Sequence, residues 1–289
     1  MKSLAEILEI ALPIAWGASD ILRSYYQGTN HQNLDVQYKD EKDKDPVTAA
    51  DLAVSHYILE KLQAALGNED FGYISEETYQ ESQKVKQKWV WIIDPLDGTR
   101  DFIEKTGEYA IHIALVKDKR PVFAIVAVPE SGKMYYATKG GGAFVEARDG
   151  KTEILQVSSG KKIEELTLVA SRSHRNEKLD FILKNLPCKN QKSIGSVGCK
   201  IAAIVEKQAD VYISLSGKSA PKDWDIAAPE LILTEAGGKY THFDGSPLLY
   251  NTGDINQWGG LLASNGEYHE VICQEAEINS AEWEMESGE

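Results

Sequence analysis

A chain of 289 residues, 42% hydrophobic and 26% charged, can bury one sizeable core or two closely packed subdomains. Its formal charge of −14 excludes a nucleic-acid duplex as partner, because a polyphosphate backbone needs a basic surface. The longest apolar runs, such as residues 122–128, are strand-sized and exclude membrane insertion, so an anionic small molecule would have to be met by a bound cation or a few placed basic residues.

Residues 2–27 read as a long amphipathic helix, since Glu6, Glu9 and Asp20 interrupt the apolar pattern and no basic head or cleavage site marks a signal peptide. A polar stretch through YKDEKDKD ends at Pro46, and a second helix runs from Thr48 to about Leu66, with Gly67 placed to end it. Residues 89–93 form a short apolar run that stops at Asp94-Pro95, as a buried strand does where it opens into a turn. Between Ile111 and Val145, apolar runs broken by KDKRP, PESGK and KGGG predict strands joined by hairpins.

After about residue 155 strands and helices alternate: strands at 166–170, 211–215 and 260–263, helices at 198–207, 225–236 and 266–273. The expected organisation is an antiparallel-rich α+β part over 1–155 and an α/β part over 156–274, followed by an acidic tail at 275–289. That tail holds six glutamates and no Lys or Arg, which predicts a solvated, mobile segment. Three widely separated cysteines, Cys188, Cys199 and Cys273, lack CxxC spacing and point to a reducing, cytoplasmic setting.

The segment WVWIIDPLDGTRDF carries the chemistry. Asp94 and Asp97 stand three apart in a turn shaped by Pro95 and Gly98, which can aim both carboxylates and the Leu96 carbonyl at one point as hard ligands for Mg²⁺. Thr99 opens a short helix whose N–H groups, with that of Gly98, can meet a phosphate; as a bare motif, Thr99 could equally be a helix cap. A haloacid-dehalogenase reading fails, because Pro95 occupies the place of its nucleophilic Asp. The glycines at 140–142 form no P-loop, because no Gly-Lys-Ser/Thr follows. Glu76 and Glu77 in GYISEET would by themselves be surface residues, Asp51 in DPVTAAD a capping-box member and Asp225 in WDIAAPE a helix-dipole partner.

Together, DPVTAAD, SEE, DPLDGT and WDxAAPE, in this order over residues 5–273, resemble the inositol monophosphatase family of magnesium-dependent, lithium-sensitive phosphatases. SRSHRN at 171–176 and GSVGCK at 195–200 make the chain most similar to the 3′(2′),5′-bisphosphate nucleotidases within it. The resemblance implies an α/β fold, the layered α-β-α-β-α sandwich of the inositol monophosphatase and fructose bisphosphatase type. It implies one Mg²⁺ on Glu76, Asp94 and the Leu96 carbonyl, and a second on Asp94, Asp97 and Asp225. The stretch before Pro46 would close the site or bind a third. Asp51 and Thr99 would activate water, while Gly98, Thr99, Ser171, His174, Ser196, Lys200 and Asp225 would contact 3′-phosphoadenosine 5′-phosphate. Such a cluster needs a cation, since close carboxylates repel by about 4 kcal/mol per pair at an effective dielectric near 20. The alternatives are an inositol or sugar phosphatase on the same scaffold, and a metal-binding regulatory protein without catalysis.

Overall fold

The computed structural model describes residues 2–28, 37–38, 46–80, 85–172 and 175–287. Helix α1 (Leu4–Tyr26) is started by a Ser3–Glu6 capping box and buries Ile7, Ala11, Ile14, Ala18 and Leu22 along one face. A short antiparallel pair, β1 (Gln37–Tyr38) with β2 (Pro46–Val47), leads into α2 (Ala49–Leu66). Thr48 and Asp51 cap α2 reciprocally, and Gly67 ends it at a φ of 76°.

The first sheet is built from β3 (Phe71–Ser75), β4 (Trp89–Asp97), β5 (Ala110–Lys117), β6 (Arg120–Val128), β7 (Lys133–Thr138), β8 (Gly142–Ala147) and β9 (Thr152–Ile154), in that spatial order. The short helix α3 (Thr99–Ile103) follows β4. Only β3 and β4 pair in parallel; the rest is an antiparallel meander. Its β5–β6 hairpin turns on Asp118 and Lys119, both at positive φ, as a two-residue hairpin requires.

The second sheet, in spatial order β11-β10-β12-β14-β13, comes from β10 (Thr167–Ser171), β11 (Asn190–Ile194), β12 (Val211–Leu215), β13 (Lys239–His242) and β14 (Gly260–Ser264). With it alternate α4 (Glu177–Asn185), α5 (Val197–Val205), α6 (Asp223–Glu235) and α7 (His269–Ser287).

The apolar strands are buried on both faces, which explains their near-continuous hydrophobic runs. Trp91, Ile93, Ile113 and Phe123 pack against α1 and α2, while Val90, Ile92, Ala124 and Val126 face α5 and α6. The same central core continues into Val169, Tyr212 and Ala263 of the second sheet. The far face of that sheet, with Leu168, Val211 and Leu262, is covered by α4 and α7. The layering is therefore α-β-α-β-α, as expected. Among the described residues, no helix is long and apolar enough to cross a membrane.

Two expectations about the C-terminus are corrected. The last helix spans His269–Ser287 rather than 266–273, and residues 275–287 are helical rather than a mobile tail. Composition alone hid the spacing of Ile272, Cys273, Ala276 and Asn279, which forms a buried stripe and leaves the glutamates on the solvent side. Lys178 meets Glu284 at 2.5 Å, and Phe181 meets Trp283 at 5.5 Å between ring centroids, so α4 anchors the tail.

Candidate active site

Strand β4 does not stop at Ile93; it runs to Asp97 across a bulge. Asp94 pairs with His112 of β5 and Asp97 with Ala110, so three steps on one strand match two on the other. In a regular strand, residues three apart face opposite sides. The extra residue cancels that alternation and lets both carboxylates serve one site. The turn is held by Asp94 Oδ1, which accepts the Leu96 N–H at 2.9 Å, and by Gly98 at a φ of 87°. A side chain at Gly98 would be strained by that φ, and its Cβ would come within 3.0 Å of the Glu108 carbonyl and of Ser196.

Gly98, not Thr99, is the N-cap of α3. The Thr99 hydroxyl is instead turned to Leu96 O at 3.1 Å and to Asp51 Oδ1 at 3.3 Å. Having one proton, it donates to one of them at a time. Asp51 is itself buried, its Oδ2 accepting the Thr48 N–H at 2.7 Å and the Thr48 hydroxyl at 2.6 Å. The capping box thus orients Asp51 for its second contact, and the structural and chemical readings of this residue are the same arrangement.

Two further elements bring acids to Asp94. Glu76 opens a 3-10 turn after β3, and Asp225 lies in the first turn of α6, where its Oδ2 accepts the Lys222 N–H at 2.7 Å. Burial, then the charges of Glu76, Asp97 and Asp225, push the Asp94 carboxyl well above the usual range. Burial and the neighbouring Asp97 push Asp225 up to about 6. Asp97 goes the other way: burial opposes its charge, but His112, Lys200 and the Gly198 N–H outweigh that and hold it at about 2. Gly198 N donates to Asp97 Oδ2 at 3.0 Å, and His112 Nε2 stands 3.2 Å from the same oxygen.

The cluster therefore carries buried negative charge that the protein only partly compensates. Such oxygens suit a hard divalent cation. As placed, no three acidic, His or Cys side chains among the described residues are arranged to hold one ion. The acids meet through their fields, and Asp94, Asp97 and Asp225 are each held by a backbone N–H, of Leu96, Gly198 and Lys222 respectively. A cavity of about 620 Å³ lies elsewhere, between β8, β9 and the end of α5, and none of these carboxylates lines it.

Asp225 is ionised in the unfolded chain above a pH of about 4 but takes up its charge in the fold only near 6. The native state then binds more protons over that window, and stability falls as pH rises through it. Urea unfolding with chelator is expected to show Asp225→Asn gaining on wild type from about pH 4 to 6 and keeping the gain above. A constant offset would contradict this. The comparison cancels other titrating groups, including His269, whose buried ring is held down at about 4 by burial and works in the opposite sense.

Around the acids lie the other expected contacts. Ser196 caps α5, accepting the Cys199 N–H at 3.0 Å. Ser171 ends β10, beside the side chain of Tyr212. Lys200 is 1% exposed, its ammonium donating to the Gly195 carbonyl and standing 5.2 Å from the Tyr212 ring centroid. It thus sits beneath the site with burial lowering its affinity for the proton, whereas the sequence suggests a charge offered to substrate. Arg172 is bound to Asp101 and, at 2.7 Å, to Glu108. Glu108 in turn accepts the Gly195 N–H at 2.7 Å, fixing the loop before α5. His174 and the stretch 39–45 lie outside the described residues.

His112 was not found from sequence. It falls in AIHIALV, where apolar residues occupy both faces, and a fully buried histidine there signals a polar partner.

The Inositol monophosphatase family model matches residues 3–281. The chain belongs to the inositol monophosphatase family. Among curated relatives of this family member, the 3′(2′),5′-bisphosphate nucleotidase CysQ of Aggregatibacter actinomycetemcomitans is 34% identical over 247 residues, covering 85% of this chain and 87% of that one. The CysQ of Escherichia coli K12 is 32% identical over 246 residues, 84% and 94% of the two chains. Among solved structures, CysQ from Bacteroides thetaiotaomicron superposes with a TM-score of 0.72 at 27% identity, over 91% of this chain and 98% of that one. An IMPase from Thermotoga maritima reaches 0.78 at 22% identity, covering 96% and 99%, which supports the fold alone.

Proposed function

We propose that this member of the family is a cytoplasmic 3′(2′),5′-bisphosphate nucleotidase that removes the 3′-phosphate of 3′-phosphoadenosine 5′-phosphate, with Mg²⁺ and with inhibition by Li⁺. The observation that carries the reading is the Asp51–Thr99 pair together with an acidic cluster in which the charges of Glu76, Asp97 and Asp225 act on Asp94, in a chain whose nucleotidase relatives match most of its length. The three cysteines, all free and buried, support a reducing setting.

The four acids and the Leu96 carbonyl would hold two Mg²⁺, which when bound supply Lewis-acid stabilisation of the phosphate and lower the pKa of water. Asp51 Oδ1 keeps a proton acceptor against the Thr99 hydroxyl, so Thr99 can take a proton from the attacking water as it gives its own to Asp51. The water oxygen bonds to phosphorus, the bond to the ribose 3′-oxygen breaks, and that oxygen takes a proton from solvent, while Asp51 later returns its proton to solvent. The Gly98 and Thr99 N–H groups, free of intrahelical acceptors at the start of α3, suit the phosphate oxygens. Ser171, Ser196 and Asp225 are the proposed contacts for the rest of the nucleotide, with Lys200 as a positive charge below them.

The reading is tested by phosphate release from 3′-phosphoadenosine 5′-phosphate with Mg²⁺, with Mg²⁺ plus Li⁺, and with EDTA. Turnover is expected only with Mg²⁺, and Li⁺ is expected to suppress it. Undiminished turnover in EDTA would overturn the metal assignment.

A further inference from the structure

His112 touches both the Asp97 carboxylate and the backbone next to Asp225. It is 0% exposed, and its two ring nitrogens face two different elements. Nδ1 lies 3.2 Å from the Trp224 carbonyl in the first turn of α6, and Nε2 lies 3.2 Å from Asp97 Oδ2 at the end of β4. A carbonyl only accepts, so Nδ1 carries the proton of that contact. Trp224 immediately precedes Asp225, so a single rigid ring spans from the Asp97 carboxylate to the backbone that carries Asp225.

The space for this bridge is provided by Gly198. A Cβ there would come 2.4 Å from His112 Nε2 and 2.8 Å from the Ala110 Cβ. The Gly198 N–H meanwhile binds the same carboxylate oxygen as the imidazole faces, at 3.0 Å. Asp97 Oδ2 is therefore approached from β5 and from α5 together. Nε2 stands close to that oxygen but off the axis of a well-formed hydrogen bond.

The geometry points to His112 as a positioning residue that sets the orientation of Asp97 and its spacing from Asp225, and through them the affinity for a divalent cation. This rests on the proposed metal reading. Groups that orient ligating side chains are commonly worth about 10–100-fold in metal affinity. His112 fixes two acids from two elements, so the effect belongs on binding of the ion as well as on turnover.

The test measures Mg²⁺ binding to the full chain by titration calorimetry, without substrate, in wild type, His112→Leu and His112→Gln. His112→Leu is expected to weaken Mg²⁺ about 10–100-fold with the fold retained by circular dichroism. His112→Gln, whose amide nitrogen reaches about as far as Nε2, is expected to recover most of that loss. The Mg²⁺ concentration for half-maximal turnover should shift in the same order, with the substrate KM at saturating Mg²⁺ little changed. Wild-type affinity in His112→Leu overturns the inference, as does an equal loss in both variants, which would mark a packing defect. Should His112→Leu not fold, Gly198→Ala displaces the ring from the opposite side. The same weakening is then expected, and unchanged affinity overturns the inference. A wild type that binds no divalent ion would instead overturn the metal reading, and this inference with it.

Discussion

Replacing Asp97 by Asn is expected to lower kcat by about 10³-fold while the protein stays folded. The fold holds the Asp97 carboxyl down at about 2, against the cost of its burial, through His112, Lys200 and the Gly198 N–H. The amide has nearly the same shape, so β4 and its bulge should persist, but the charge that the surrounding donors are built around is gone. Stability should fall as well. A depressed carboxyl contributes stability above its ordinary value near 4, lost as pH falls toward 2, and the amide contributes none of it. Asp94→Asn should behave oppositely. Its carboxyl is pushed well up by burial and three neighbouring acids, so the chelated variant should be more stable than wild type although inactive. Steady-state kinetics and urea unfolding of the two variants together check this. Near-normal turnover in Asp97→Asn, or destabilisation by both substitutions, would contradict the division of roles within the cluster.

The second large effect is expected from Thr99→Val, which removes one oxygen and keeps the shape. Helix α3 is capped by Gly98, and Asp51 keeps both contacts to Thr48, so little structure depends on the hydroxyl. A positioned proton-transfer group contributes about 10²–10⁴-fold, and kcat should fall within that range with KM little changed. Asp51→Asn should give a comparable loss, and the double variant should be scarcely worse than either single one, because the two residues act as one relay. Losses that multiply in the double variant would show that Asp51 and Thr99 act separately. A Thr99→Val enzyme impaired only in KM would make the hydroxyl a binding contact.

The limits of what could be read from sequence follow from the same geometry. Periodicity found α1, α2 and the hairpin meander because each has an apolar pattern tied to a local stop signal, such as Gly67 after α2. The DPLDGT segment exposed the key acids, but not the mechanism that turns them to one side. A bulge is defined by the partner strand, and β5 is nowhere visible in that motif. His112 was lost for a related reason: its role depends on Trp224 and Asp97, neither near it in sequence. Lys200 was legible as a charge near the site, but its burial under the Gly195 carbonyl depends on how α5 packs. In the acidic C-terminus, net charge masks the three- and four-residue spacing of Ile272, Ala276 and Asn279. That spacing, which composition does not report, makes the helix.

The most direct test of the central claim compares kcat/KM for 3′-phosphoadenosine 5′-phosphate and inositol 1-phosphate at saturating Mg²⁺, with the nucleotide product identified. A strong preference for the bisphosphate, yielding adenosine 5′-phosphate and inorganic phosphate, is the predicted result. Preference for inositol 1-phosphate, or loss of the 5′-phosphate instead, would contradict the nucleotidase assignment while leaving the fold and family in place.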